Sequence, residues 1–215
     1  MAESRGSGVH HPVFARMYAR MAKEFEAKGA AEHRDEARAG LAGRVVEVGA
    51  GTGANFAHYP SSVTEVVAVE PEPYLRDIAA KAAASAPVPV TVLDGVADRL
   101  PLDDASGDAG VASLVLCTVG DPAAALAEVR RVIRPGGELR FFEHVRAETR
   151  GFTRFQRVVD VVWPRLGGGC HASRDTVAAI EAAGFGIETL RRFTFRPSLV
   201  VAPVAPHVIG VARRP

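Results

Sequence analysis

Three glycines at alternating positions and one acid further along are the residues whose types and spacing suggest chemistry. Gly49, Gly51 and Gly53 follow a short run of β-branched residues in the stretch VVEVGAGTGANF. Glu70 comes 17 residues after Gly53, at the end of a second β-branched run. Glycine adopts positive φ without steric cost and lets a ligand approach the backbone, and an acid placed in this way can hold both hydroxyls of a ribose. The combination indicates a nucleoside ligand, whereas a glycine cluster alone would indicate only a turn.

The spacing of the glycines leaves two kinds of nucleoside ligand open. A dinucleotide-binding protein requires the pattern GxGxxG, with the start of a helix facing a pyrophosphate. The position three after Gly51 is Ala54, and alanine is an accepted substitute for the last glycine of that pattern. The motif by itself therefore does not exclude an oxidoreductase that uses NAD.

Strands must position these residues, and the hydrophobic pattern predicts seven strands that alternate with helices. The predicted strands are RVVEVG, EVVAVEPEP, VPVTVLDG, AGVASLVLCTV, ELRFFEHV, FGIETLRRFTF and HVIGVARR. The predicted helices are Pro12 to about Ala37, ANFAHYP, YLRDIAAKAAASA, DPAAALAEVRRVI and SRDTVAAIEAAG, with Asp121 and Ser173 as expected N-caps of the last two. The alternation predicts an α/β fold with a doubly wound, mostly parallel sheet, whose ligands bind beyond the carboxyl ends of the strands.

Composition limits the kind of protein and the kind of partner. The chain has 215 residues, which predicts one domain over residues 12–215 behind a disordered segment 1–11. Its formal net charge of +1 gives no indication of a nucleic-acid-binding surface. Cys117 and Cys170 lie far apart with no metal-binding spacing, so we expect no metal and a reduced, cytoplasmic setting. No apolar run has the length of a membrane span.

Several longer segments resemble the class I S-adenosylmethionine-dependent methyltransferases. They are EVGAGTGANF, VAVEPEP, the long stretch from GVADRL to FFEHV, and AAGF. Within that superfamily, the segments GTGANF, LVLCTV, EVRRVIRPGG, FFEHV, GGGC and PHVIG are similar to the alkyl thiol methyltransferases and their bacterial relatives. The resemblance implies a Rossmann-like fold, S-adenosylmethionine as cofactor, S-adenosylhomocysteine as product, and a small-molecule acceptor, with a thiol favoured. Methylation of oxygen, nitrogen or carbon is the alternative; a NAD-dependent oxidoreductase or a non-catalytic binding protein is less favoured. The mammalian members carry an N-terminal membrane anchor, which we do not expect here.

The resemblance also implies roles for individual residues around the cofactor. The glycine loop would cradle the methionine moiety, Glu47 would fix the cofactor's amino group or the loop, and Glu70 would hold the ribose. Relatives have an acid at the position of Val96, so Asp94, Asp98 or the backbone of Val96 and Ala97 must replace it, and we favour the backbone. The full expected cofactor set is Glu47, Gly49, Ala50, Gly51, Gly53, Asn55, Glu70, Pro71, Gly95, Val96, Ala97, Leu114 and Cys117.

The acceptor side depends on residues outside these motifs. Methyl transfer from a sulfonium needs an in-line nucleophile, and a base near a thiol helps without being obligatory. His144, Cys117 and His207 are the candidate catalytic residues, although Cys117 fits a small pocket-lining hydrophobe better than a nucleophile. The expected acceptor-binding residues are Phe14, Tyr18, His144, Trp163 and His207, with the N-terminal helix as a lid. We expect His171 at the surface and a monomer or homodimer.

Overall fold

Seven strands form a single sheet in the computed structural model, which describes residues 12–215; the segment 1–11, predicted to be disordered, lies outside the described residues. The strands are β1 Gly43–Val48, β2 Val63–Val69, β3 Val90–Leu93, β4 Gly107–Ser113, β5 Ile133–His144, β6 Gly186–Thr194 and β7 Pro206–Arg213. Their order is β3-β2-β1-β4-β5-β7-β6, and β7 runs antiparallel to both of its neighbours. The α/β, mostly parallel sheet expected from the sequence is confirmed.

The sheet order fixes where a ligand can bind. The chain leaves β1 towards β2 and β3 on one side, and returns to β4 and β5 on the other, so the order reverses between β1 and β4. Such a reversal opens a crevice at the carboxyl ends of the two strands. Val45 of β1 pairs with Ala109 of β4 and Val48 pairs with Ala112, so the loops that follow these two strands lie side by side.

Helices cover the sheet, and two buried clusters flank β1. The helices are α1 Pro12–Phe25, α2 Ala31–Arg38, α3 Pro73–Ala83, α4 Pro122–Val132, α5 Arg150–Val159, α6 Trp163–Leu166 and α7 Thr176–Ala182. Successive side chains of a strand point to opposite faces. Accordingly Val46 and Val48 pack with the cluster that contains Leu126 and Ile180, whereas Val45 packs with the cluster that contains Phe56. Glu47 therefore shares the face of Val45 and is completely buried.

Two predicted helices differ from the observed ones near the start of the chain. The helix expected from Pro12 to about Ala37 is broken within Glu26–Ala30, because Gly29 adopts a φ of 106° that no helix residue has. The segment ANFAHYP forms only the short 3-10 turn Phe56–His58, since the glycine loop before it and Pro60 after it leave no room for a longer helix.

The predicted fourth and fifth strands have different limits in the structure. β4 ends at Ser113, not at Val119, because Leu114 takes a positive φ of 58° and turns the chain out of the sheet. A positive φ at a non-glycine residue is uncommon and costs energy. β5 begins at Ile133, directly after α4, so RPGG lies within the strand and does not precede it.

The expected helix caps gave one correct and one wrong prediction. Asp121 caps α4 as predicted: its side chain accepts hydrogen bonds from the N–H groups of Ala123 and Ala124 at 2.9 and 3.1 Å. Ser173 does not cap α7. Asp175 does so, because the Ser173 hydroxyl instead donates to Asp160.

Candidate active site

A cavity of about 470 Å³ lies at the carboxyl ends of β1, β2 and β4. Its volume is within the usual range for small-molecule sites. Its walls come from the glycine loop after β1, the acidic turn after β2, residues 96–98, residues 113–121, helix α1, and residues 168–171. The cavity therefore occupies the crevice that the sheet order predicts.

The glycine loop forms one wall through its backbone. Gly49 and Gly51 line the cavity, and the N–H groups of Gly49 and Ala50 both donate to the carbonyl oxygen of Val69 at 2.9 and 3.2 Å. Gly49 has a φ of 68°, and a Cβ at this position would overlap the Val115 side chain. Only glycine therefore allows the loops after β1 and β4 to pack together here. Gly53 turns the chain behind this wall and does not line it.

Glu70 lies at the centre of the cavity wall and is preorganised by two backbone groups. Its side chain accepts hydrogen bonds from the N–H of Gly51 at 2.7 Å and from the N–H of Glu72 at 3.0 Å, one on each carboxylate oxygen. Burial raises the pKa of the Glu70 carboxyl, and these two N–H groups partly offset that effect. A carboxylate has about four acceptor positions, so about two remain for ligand hydroxyls. Pro71 lines the cavity beside it.

The structure shows which of Asp94 and Asp98, the two candidate acids in the sequence, faces the cavity. Val96, Ala97 and Asp98 line the cavity. Asp94 instead forms an ion pair with Arg76 at 3.0 Å and does not line the cavity. Gly95 is packed behind the wall, where a Cβ would lie 2.8 Å from Pro101. Asp98 is therefore the acid of this segment that can reach a ligand.

Glu47 and Asn55 lie behind the cavity wall and support the glycine loop. Glu47 accepts hydrogen bonds from the Asn55 side-chain amide at 2.5 Å and from the Tyr59 hydroxyl at 2.6 Å. The side-chain oxygen of Asn55 accepts from Arg34 of α2. Of the two roles that the resemblance implied for Glu47, this network favours fixing the loop. Arg34 and Tyr59 were not anticipated, because their approach depends on long-range packing.

Helix α1 covers the cavity with aromatic side chains. Phe14, Ala15 and Tyr18 line it, with the two rings stacked at a centroid distance of 5.9 Å. The Tyr18 ring lies over Gly51, where a Cβ would be 3.3 Å away, and the Phe14 ring packs directly against Gly168. Burial raises the pKa of Tyr18, so its hydroxyl stays neutral at ordinary pH. The position of α1 is that of a lid.

His171, which was expected at the surface, lines the cavity. Its Nδ1 lies 3.2 Å from a nitrogen of the Arg174 guanidinium. Because a guanidinium only donates hydrogen bonds, Nδ1 must accept and Nε2 carries the proton. His171 therefore offers an N–H donor rather than a free basic nitrogen. Gly168, Gly169 and Thr118 form the same part of the wall.

His144, Cys117 and Trp163 lie together, but behind the wall and not in it. His144 Nε2 lies 3.0 Å from Cys170 Sγ, and the Trp163 indole N–H donates to the same sulfur at 3.1 Å. A hydrogen bond from Cys117 and the nearby His144 lower the pKa of Cys170, while burial raises the pKa of Cys117. Burial acts to lower the pKa of His144, but Cys170 outweighs it and the net pKa is raised. We call Cys117, His144 and Cys170 the Cys–His cluster.

His207 lies away from this cavity. It lines a second cavity with Phe193, and its ring stands 6.1 Å from that of His144. Nδ1 lies 2.8 Å from the carbonyl oxygen of Ala205, which can only accept, so Nδ1 carries a proton. Burial and the neighbouring His144 lower the pKa of His207 to about 3, so the ring is neutral. Its expected place in the acceptor pocket is not what the structure shows.

Comparison with known proteins assigns the chain to a family. Residues 46–141 match the family model described as "Methyltransferase domain". The chain is 39% identical over 180 residues to thiol S-methyltransferase TMT1B of Homo sapiens, covering 80% of this chain and 72% of that protein. The chain belongs to the class I S-adenosylmethionine-dependent methyltransferases. Human thiol S-methyltransferase TMT1A is another relative of this methyltransferase, 36% identical over 180 residues with 81% of this chain and 72% of that protein covered.

A solved structure agrees on the fold. A SAM-dependent methyltransferase from Thermotoga maritima superposes on this methyltransferase with a TM-score of 0.70 at 24% identity, covering 94% of this chain and 97% of that one. As a member of the family identified above, the enzyme uses S-adenosylmethionine and a small-molecule substrate. The walls fit this cofactor. Glu70 keeps acceptor positions free, and the glycine loop beside it leaves space that a Cβ would occupy. Within residues 12–215, no helix combines the length and the apolar character needed to cross a membrane.

Proposed function

We propose that this methyltransferase methylates the sulfur of a small, largely apolar thiol, giving a thioether and S-adenosylhomocysteine. The observation that carries this proposal is the 39% identity over 180 residues to a thiol S-methyltransferase. The cavity adds support, because Phe14, Leu114, Val115 and Val119 are among the residues that line it. Such a wall suits an alkyl or aryl group better than a highly polar acceptor.

The cofactor half of the site is proposed from the residues that face the cavity. Glu70 would accept hydrogen bonds from the ribose hydroxyls, and Pro71 with Val96 and Ala97 would pack against the adenine. Asp98 is the carboxylate available to the adenine amino group, alongside the backbone of Val96 and Ala97. The backbone at Gly49 and Gly51, with Leu114 opposite, would border the methionine moiety. In this proposal Glu47, Ala50, Gly53, Asn55 and Gly95 act indirectly by holding the loops.

The chain's own contribution to the reaction is orientation and exclusion of water. When bound, S-adenosylmethionine supplies a methyl group that is already activated by the positive sulfonium. The α1 lid closes the cavity over Gly51 and Gly168, which favours a fixed geometry and a dry site. Among the described residues, His171 is the histidine that lines this cavity, and its Nδ1 is engaged by Arg174. We propose that it donates a hydrogen bond through Nε2 and does not act as a base.

The proposal extends to the setting of the enzyme. We propose a single domain over residues 12–215, acting in the cytoplasm as a monomer or homodimer, on small molecules and not on nucleic acid. The near-neutral net charge and the two free cysteines support this setting.

A matched series of acceptors tests the choice of sulfur. Propane-1-thiol, propan-1-ol and propan-1-amine differ in the nucleophilic atom and share the alkyl chain, so the cavity wall contacts all three alike. The measurement is release of S-adenosylhomocysteine at equal acceptor concentration, with Glu70→Ala as the cofactor-site control. We expect turnover with the thiol and little with the other two. Faster turnover of the alcohol or the amine would reject the thiol as the preferred acceptor.

A further inference from the structure

The Cys–His cluster brings together three side chains that the sequence spacing did not connect. Cys117 follows β4, His144 ends β5, and Cys170 lies in the loop after α6. One ligand-type atom from each, two sulfurs and a ring nitrogen, all lie within 4.8 Å of one another. The wide spacing of these residues along the chain predicts no metal site. The fold places two soft sulfur ligands and an imidazole at one point.

Two carboxylates hold the segments that carry the two sulfurs. The Glu143 carboxylate, completely buried, accepts hydrogen bonds from three successive N–H groups, those of Val115, Leu116 and Cys117, at 2.9, 3.0 and 3.3 Å. Asp160 accepts from the N–H groups of Ala172 and Ser173 at 2.6 and 2.9 Å, directly after Cys170. These contacts fix the backbone on which each sulfur stands, as a preorganised site requires.

Two further hydrogen bonds join the segments at the cluster itself. The N–H of His171 donates to the carbonyl oxygen of Cys117 at 2.9 Å, so the two cysteine segments are tied to each other. The indole N–H of Trp163 donates to Cys170 Sγ at 3.1 Å. A donor of this kind stabilises negative charge on a sulfur and can persist when that sulfur binds a metal.

We propose that Cys117 Sγ, Cys170 Sγ and His144 Nε2 bind one zinc ion. The Cys117 and Cys170 thiols lose their protons to solvent when zinc binds. The two thiolates and a neutral imidazole then balance the 2+ charge of zinc, so the site can be buried without a net charge. Zinc at its usual bond lengths of about 2.3 Å to sulfur and about 2.05 Å to nitrogen keeps tetrahedral ligands about 3.6 Å apart. His144 Nε2 and Cys170 Sγ are 3.0 Å apart, so a small separation of these side chains admits the ion.

Three protein ligands leave the fourth tetrahedral position of the zinc for another molecule, as in catalytic rather than structural zinc sites. Gly169 and His171, on either side of Cys170, line the cavity, and so does Thr118 beside Cys117. Resting on the proposed function, we assign the fourth position to the acceptor thiol. The thiol sulfur would bond to zinc and its proton would pass to solvent, leaving a zinc-bound thiolate, because coordination deprotonates a thiol outright.

Metal content tests the zinc site without reference to activity. The full chain is produced with zinc in the medium, desalted against a weak chelator, and analysed by plasma mass spectrometry. We expect about one zinc per chain, lost in Cys170→Ser and His144→Ala. His58→Gln is the matched control, because His58 pairs with Asp35 away from the cluster, and it should keep its zinc. Cys170 is only partly buried, so its serine variant should fold, which circular dichroism verifies.

Wild-type protein without bound zinc, and no uptake on titration with zinc, would overturn the zinc site whatever the acceptor proves to be. Retention of zinc in Cys170→Ser would overturn the ligand assignment.

The fourth position is tested on cobalt-substituted protein. Cobalt bound by two cysteines gives thiolate-to-metal charge-transfer absorption, and propane-1-thiol should intensify it while propan-1-ol does not. The filtrate is assayed for cobalt so that stripping of the metal is recognised as such. A spectrum unchanged by the thiol would overturn the assignment of the fourth position and leave the zinc site standing. Zinc binding without any thiol turnover would instead reject the proposed function alone.

Discussion

Replacement of Glu70 by glutamine is the sharpest test of the cofactor site. The carboxylate oxygens each accept one backbone N–H, from Gly51 and from Glu72, and about two acceptor positions remain for the ribose. An amide keeps one oxygen and presents an NH₂ group where the other oxygen was. At least one hydrogen bond from a ribose hydroxyl is then lost, and the remaining one no longer meets a charge.

The size of the effect follows from the kind of hydrogen bond that disappears. A hydrogen bond to a charged group contributes about 1.5 to 3 kcal/mol, and about 1.4 kcal/mol corresponds to a tenfold change in Kd. We therefore expect Glu70→Gln to weaken binding of S-adenosylhomocysteine about 10- to 150-fold. Glu65→Gln is the control, because Glu65 lies on β2, the strand that ends just before Glu70, and its half-exposed side chain pairs with Arg44. This variant should bind normally.

Isothermal titration calorimetry measures this change, and a deoxyribose analogue of the ligand isolates its cause. Wild-type protein should bind the analogue more weakly than the parent ligand, whereas Glu70→Gln should distinguish the two much less, as a double-mutant cycle requires of interacting groups. Melting temperatures confirm that the variant is folded. A Kd for Glu70→Gln within twofold of wild type, or an equal penalty for the analogue in both proteins, would refute the ribose assignment.

Three further predictions test the loops and the titration of the site. Gly49→Ala should lower the melting temperature, since a positive φ costs alanine about 1 to 2 kcal/mol and its Cβ overlaps a valine. The control Gly151→Ala, at an open helix position, should leave the melting temperature unchanged. Equal melting temperatures for the two variants would contradict this prediction. Glu143→Gln should cost about 1 to 3 kcal/mol in urea denaturation, because its amide leaves at least one of the three N–H groups without an acceptor. Glu36→Gln, which breaks an exposed ion pair with Arg191, should cost under about 1 kcal/mol, and equal costs would be inconsistent with this. Because burial raises the pKa of Glu70, its carboxylate form is lost at higher pH than that of an exposed glutamate. As the pH is lowered, affinity for S-adenosylhomocysteine should therefore already fall above the ordinary glutamate pKa of about 4.3, and a flat profile would contradict this.

Features that depend on short stretches of chain were predictable from the sequence. The glycine loop and Glu70 each follow a buried strand, and parallel strands bring their carboxyl ends to one edge. Asp121 caps α4 because its partners are two and three residues away. Leu114 shows the limit of such reasoning. The apolar run around it predicts a continuous strand. The chain nevertheless leaves the sheet at Leu114, because the Glu143 carboxylate accepts hydrogen bonds from the next three N–H groups.

Features that depend on sheet order and loop packing were not predictable from the sequence. His207 stands at the correct edge of the sheet, directly across from His144 in the β5–β7 register. The order β1-β4-β5-β7 nevertheless places it two strands from β4, beyond the reach of the cavity. His171 lines the cavity because Asp160 and Arg174 fix its loop. Those contacts join residues from separate elements, and the sequence gives no periodic signal for them.

The break at Gly29 between α1 and α2 has a kinetic consequence. Phe14 and Tyr18 rest on Gly168 and Gly51, so α1 must swing away for this side of the cavity to open. Gly29, with its φ of 106°, is a natural hinge for that movement, since it and the neighbouring Lys28 form the non-helical break between the two helices. When this movement is slower than methyl transfer, lid opening sets the rate of turnover. An enzyme paced in this way slows in viscous solvent, and shortening or stiffening the break changes how fast product departs without changing the chemistry inside.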